Sequence, residues 1–108
     1  MKKLLCTVLA LLLLVGCSAI RPMAEHHPSG FDGELLYVNL EGETYCYRRV
    51  KAGTGGLTPE DTLDSFTVQT AVEGIVWTIW SVKEHPDRTT VAVISGTNSS
   101  WTYKYCKE

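Results

Sequence analysis

Ser99-Ser100-Trp101-Thr102-Tyr103-Lys104-Tyr105-Cys106-Lys107 alternates without interruption. Trp101, Tyr103 and Tyr105 fall on one face and Thr102, Lys104 and Cys106 on the other, which is the period of two that a strand imposes. Working outward, residues 89–95 are rich in valine and isoleucine, and Gly96-Thr97-Asn98 supplies turn chemistry between the two runs. Residues 74–82 form a third apolar, β-prone run containing Trp77 and Trp80, joined onward through Glu84-His85-Pro86-Asp87-Arg88. Three strands linked by short turns make an antiparallel meander. No second long helical period occurs, so a βαβ architecture is disfavoured.

Upstream, residues 43–51 alternate as well. Tyr45, Tyr47 and Arg49 lie on one side, and Thr44, Cys46, Arg48 and Val50 on the other. Residues 34–40 are apolar and β-prone, and Glu41-Gly42 between them reads as the two-residue turn of a hairpin. Residues 52–57 are a glycine-rich connection. They lack the Gly-Lys-Ser/Thr ending of a phosphate-binding loop. Thr58 suits a helix cap, Pro59 the first helical position, and Glu60 and Asp61 the positive end of the helix dipole. A short helix ending near Ser65 is therefore expected, followed by a strand over 66–72. The expected fold is all-β: a small antiparallel sandwich or open barrel of five or six strands with one short helix.

The N-terminus has a different character. Met1-Lys2-Lys3 is cationic, and residues 4–15 are apolar apart from Thr7. This run is shorter than the ~20 residues that span a bilayer, and it has the length of a secretory signal core. It ends in Leu14-Val15-Gly16-Cys17. In that position the four residues resemble the lipobox of bacterial lipoproteins. The resemblance covers the first twenty residues and says nothing of the rest. It implies that Leu14, Val15 and Gly16 are read by the processing machinery. It also implies that Cys17 receives a thioether-linked diacylglycerol and becomes the first mature residue, its amine often acylated in turn, with palmitate for example. A second reading stays open: Cys17-Ser18-Ala19 also fits an ordinary signal-peptidase site, and a cut after Ala19 gives a secreted, unanchored protein. Cys6 leaves with the leader in either case.

The expected organisation is a signal peptide over 1–16, a lipidated N-terminus and flexible tether over 17–33, and a β domain over 34–108. Pro22, Pro28, Gly30 and Gly33 mark the tether, and His26-His27 within it is expected to be solvated. The location that follows is outside the cytoplasm, on the cell membrane or the outer membrane. Ser18 directly follows Cys17, so no aspartate stands there to signal inner-membrane retention.

Charge and motifs narrow the function. Without Lys2 and Lys3 the mature chain carries eight cationic side chains against twelve carboxylates. The largest basic cluster is Arg48-Arg49 with Lys51, too little for a nucleic-acid interface. Attachment to anionic headgroups gains nothing from this charge, so the acyl chains are left to hold the membrane. Cys46 and Cys106 can form a disulfide in an exported protein, or lie buried as small apolar thiols. If the aromatic faces share one side of the sheet, both thiols share the other. No metal-ligand spacing surrounds them. His85 is the one histidine of the expected domain and sits in a proline turn, a poor partner for a Cys–His nucleophile. The carboxylates Glu41, Glu43, Glu60 and Asp61 fall in turns and at the expected helix start. No nucleophile elbow, zinc-protease motif or dinucleotide fingerprint is present, so neither an enzyme nor a cofactor is expected. Asn98-Ser99-Ser100 matches a glycosylation sequon but reads as a turn.

Three tryptophans and five tyrosines remain. Trp77, Trp80, Trp101, Tyr103 and Tyr105 either fill the core or form a platform for an envelope protein or glycan. The expected function is a lipid-anchored envelope protein, a non-enzymatic binding or structural module. The alternative is an inhibitor of an envelope-attacking enzyme of the lysozyme or protease kind. Small lipid-anchored β-barrel lysozyme inhibitors share this outline of size, anchor and disulfide, an analogy that rests on outline and not on a sequence motif.

Overall fold

The computed structural model describes residues 20–106. Among these residues there are seven strands: β1 Gly30–Asp32, β2 Leu35–Leu40, β3 Glu43–Ala52, β4 Pro59–Gln69, β5 Gly74–Val82, β6 Thr90–Ser95 and β7 Ser100–Tyr105. They form one antiparallel sheet in the order β1-β2-β3-β7-β6-β5-β4. The chain is therefore all-β, as its alternation implied. The expected meander is β5-β6-β7, and the opening stretch is the central strand of the sheet.

The sheet curls on itself until β1 and β2 touch β4, giving a half-barrel. The concave face holds the core: Leu36 and Val38 of β2, Tyr47 of β3, Ile79 of β5, Val91 and Val93 of β6, and Tyr103 of β7, each with no exposed surface. The seam between β1 and β4 is closed by side chains. The Ser29 hydroxyl donates to the Asp64 carboxylate. Phe31 meets Phe66 edge-on, with centroids 4.9 Å apart.

Three expectations are corrected. First, no helix forms at Thr58 or elsewhere among the described residues; Pro59–Gln69 is a strand. The polar groups suited to capping are used tertiarily. The Thr58 N–H and hydroxyl both donate to the Glu84 carboxylate, at 2.7 and 2.8 Å. Pro59 opens a strand that has a partner on one side only, a position that tolerates a missing N–H. Where the β4–β5 ladder slips between Pro59 and Thr62, the Ser81 hydroxyl accepts from the Asp61 N–H at 3.0 Å. Second, seven strands form where five or six were expected, the addition being β1. Third, residues 20–32 do not stand clear of the sheet. Ile20 is buried. Tyr105 Oη accepts from the Arg21 N–H at 2.8 Å, and Met23 N–H donates to the Thr44 carbonyl at 2.7 Å. The Thr44 hydroxyl and the Asn39 amide both donate to the His27 carbonyl, each at 2.9 Å. His27 is stacked on Tyr37, with centroids 4.5 Å apart, so it is held rather than simply solvated.

The β2–β3 hairpin turns on Glu41 and Gly42, both left-handed at φ 53° and 85°. Two positive φ values define the turn type that favours Asn-Gly. Glutamate resists that conformation and asparagine tolerates it. Glu41→Asn is expected to raise the unfolding free energy by about 0.5–1 kcal/mol. A urea midpoint that stays put or falls would show that the turn is not strained at Glu41.

Candidate ligand-binding site

Among the described residues, Arg49 is the one cation set among the concave-face aromatics. On β3 it follows Tyr45 and Tyr47 at strand spacing, and it stands directly opposite Tyr103 of β7. The ladder slips just after it, between Arg49 and Lys51. A bulge of this kind re-aims the neighbouring side chains. The guanidinium carbon lies 4.0 Å from the centroid of the Trp101 ring, 5.7 Å from that of Tyr103 and 6.0 Å from that of Phe31. Nε donates to the Tyr103 hydroxyl at 3.1 Å. Ring faces attract such a cation, each contact contributing about 0.5–1 kcal/mol when exposed and more when dry.

No carboxylate of the described residues completes the arrangement. The ion pairs among the described residues are Arg48 with Glu34 at 3.8 Å and His27 with Glu25 at 3.7 Å. Asp64, also on the concave side, is engaged by Ser29 and by the Ser65 N–H. Among the described residues the terminal nitrogens of Arg49 have no partner, and no buried side-chain nitrogen or oxygen is left unsatisfied. Those nitrogens therefore reach solvent. A guanidinium fixed by one ring face and one hydroxyl, with its fork open, can grip a planar anion through two parallel hydrogen bonds. Burial pushes the Tyr103 phenol above its usual range, against the opposing pull of the Arg49 charge. Tyr103 is thus a neutral hydrogen-bonding strut.

The five expected aromatics separate. Tyr103 is fully buried. Trp77 is half-buried on the concave side, its ring 5.1 Å from Phe31. Tyr105 packs edge-on against Tyr47 at 5.9 Å and binds the Arg21 backbone. Trp80 pairs with Ala92 on the opposite parity of β5. Only Trp101 lies under a cation at close range. Arg49 and Phe31 were not singled out from sequence. For Arg49 the signal was present: a cation next in line to Tyr45 and Tyr47 on one face of the strand.

On the convex side the Cys46 and Cys106 sulfurs lie 3.4 Å apart, and the Cys106 N–H donates to the Cys46 carbonyl at 2.9 Å. Cys106, Tyr105, Lys104 and residues 48–50 line an open groove of about 320 Å³ beside them. His85 lies in the β5–β6 connection, bridged to Val82. Among the described residues no three metal-ligating side chains converge, and no helix is long and apolar enough to cross a membrane. Leu14, Val15, Gly16 and Cys17 lie outside the described residues.

No protein-family model matches the chain, and no curated protein or solved structure was found similar to it.

Proposed function

We propose that the chain is a lipid-anchored envelope protein, a non-enzymatic binding module whose ligand site is the concave mouth around Arg49 and Trp101. The observation that supports binding is the open guanidinium fork. Anchoring is supported by Leu14-Val15-Gly16-Cys17 at the end of an apolar run. Two or three acyl chains hold the membrane firmly, because each buried methylene contributes ~0.8 kcal/mol and one chain alone is marginal.

Cys46 and Cys106 are proposed to bond on export. Cys46 of β3 faces Cys106 just past the end of β7, one step beyond the Tyr47–Tyr105 pair, and in-register antiparallel residues have Cα atoms about 4.5–5.5 Å apart, within the range a disulfide accepts. The bond closes a loop of about 60 residues, which the chain-entropy view values at ~4 kcal/mol.

Intact mass and membrane fractionation of the protein expressed in a bacterium test the anchor. The expected product begins at Cys17 with diacylglyceryl and acyl mass and sediments with membranes, while Cys17→Ser is released or retains its leader. A product beginning at Ile20 without lipid would replace this reading with secretion. Potent inhibition of a lysozyme by the purified domain would move the role to the inhibitor alternative.

A further inference from the structure

We propose that Arg49 is the ligand-recognising residue of this site and that the ligand it takes is a small monocarboxylate whose body lies against Trp101. This deepens the reading of the concave mouth as a binding surface and rests on it. Three observations carry the inference.

The first is the unpartnered fork. Arg49 is half-buried, yet among the described residues no aspartate or glutamate stands within ion-pair distance. A partly desolvated cation without a counter-ion attracts an anion from solution more strongly than an exposed one, since its competing hydration is reduced.

The second is rigidity. Trp101 is held on the central strand, with Val93 on one side and Ala52 on the other. Tyr103 fixes Nε from the same strand. The direction of the remaining N–H groups is therefore set before a ligand arrives, which lowers the ordering cost of binding.

The third is the match of one fork to one anion. Among the described residues Arg49 is the one cation set over these rings. One fork takes one carboxylate. Planarity favours a carboxylate as well, because its two oxygens match the two parallel N–H bonds. The Trp101 ring adds apolar contact for an alkyl side chain or a sugar face. A carboxylate of this kind is borne by a peptide C-terminus or by an acidic sugar.

Titration of the folded domain, followed by tryptophan fluorescence and by two-dimensional NMR, tests this. The probes are N-acetyl-alanine and glucuronate, with N-acetyl-alanine methylamide and glucose as uncharged counterparts. At least one acid is expected to saturate in the millimolar range with shifts centred on Trp101 and Arg49. Its neutral counterpart should bind at least about tenfold more weakly. The acid that binds identifies the source. Arg49→Gln is expected to weaken that acid about tenfold or more, and Arg49→Lys to restore only part, because a point charge replaces the fork. A urea curve for Arg49→Gln establishes that it folds. Should it not fold, protection of Arg49 from phenylglyoxal by the acid in the unaltered protein gives the same readout. Equal binding of acid and neutral probe, undiminished binding to a folded Arg49→Gln, or no saturation and no protection overturns the proposal. The lipid mass at Cys17 is read separately. A lipidated chain without carboxylate binding loses this inference alone, and a carboxylate-binding chain without lipid loses only the anchor.

Discussion

Phe31→Ala is expected to lower the unfolding free energy by about 3 kcal/mol, the lower end for truncation of a large aromatic because the ring is only partly buried. The ring stands on a strand of three residues, β1, at one end of the strand order. From there it touches three strands it does not pair with. Phe66 of β4 lies at 4.9 Å, Trp77 of β5 at 5.1 Å and Tyr103 of β7 at 6.0 Å. The first two contacts are edge-to-face, each adding about 0.5–1.5 kcal/mol beyond the area covered. Removing the ring deletes the aromatic contact across the seam and leaves Ser29 with Asp64 and the approach of β2 to β4 to hold it. Urea denaturation gives the magnitude, and a red shift of native tryptophan emission is expected as Trp77 becomes wetter. Phe31→Leu preserves most of the volume and should lose roughly half as much. A loss below about 1 kcal/mol for alanine would mean that the curl is held by strand pairing and not by this ring.

Raising the pH beyond about 10 is expected to destabilise the domain steeply. Tyr47 is completely buried, with its hydroxyl donating to the Arg88 carbonyl at 2.7 Å. Burial raises its phenol far above the ordinary value, the nearby Arg88 charge opposing in part. Burial also raises Tyr103. The folded state therefore holds these protons after the unfolded chain has lost its own. Stability is full below the ordinary tyrosine value, near 10, and falls as pH climbs towards the folded-state value, by at most ~1.4 kcal/mol per pH unit for each group. Urea midpoints measured at pH values from about 8 to 11.5 should bend downward past 10. Tyr47→Phe should start about 1 kcal/mol less stable, since it leaves the Arg88 carbonyl without its donor, but its alkaline slope should be shallower by one proton. Parallel slopes for the two proteins would remove Tyr47 as a source of the effect.

Much of the sheet was legible because its central strands have a strict period. Trp101, Tyr103 and Tyr105 alternate with Thr102, Lys104 and Cys106, and a one-residue slip would turn every ring away from the core. The same parity places Cys46 and Cys106 on one face, where their sulfurs approach to 3.4 Å. Phe31 was not legible. Three residues carry no period, and the surrounding prolines and glycines read as a tether, whereas the contacts that fix it come from β4, β5 and β7. Thr58 misled for the opposite reason. Its capping chemistry is local and real, but Glu84, far along the chain, takes the same N–H and hydroxyl. The Arg49 site lies between these cases. Alternation placed the cation beside Tyr45 and Tyr47, but only the β3–β7 pairing shows that Trp101 lies beneath it.

Because the half-barrel meets itself through side chains, β4 keeps one flank of eleven residues without a ladder partner. Backbone of that kind is a template on which a second molecule can zip, the first step towards fibrils. Its sequence works against this. Pro59 offers no N–H, and Glu60 and Asp61 are exposed along the same flank. Two such flanks laid parallel and in register would oppose like charges at short range. Copies crowded side by side can thus remain separate, with solubility written into the strand most at risk.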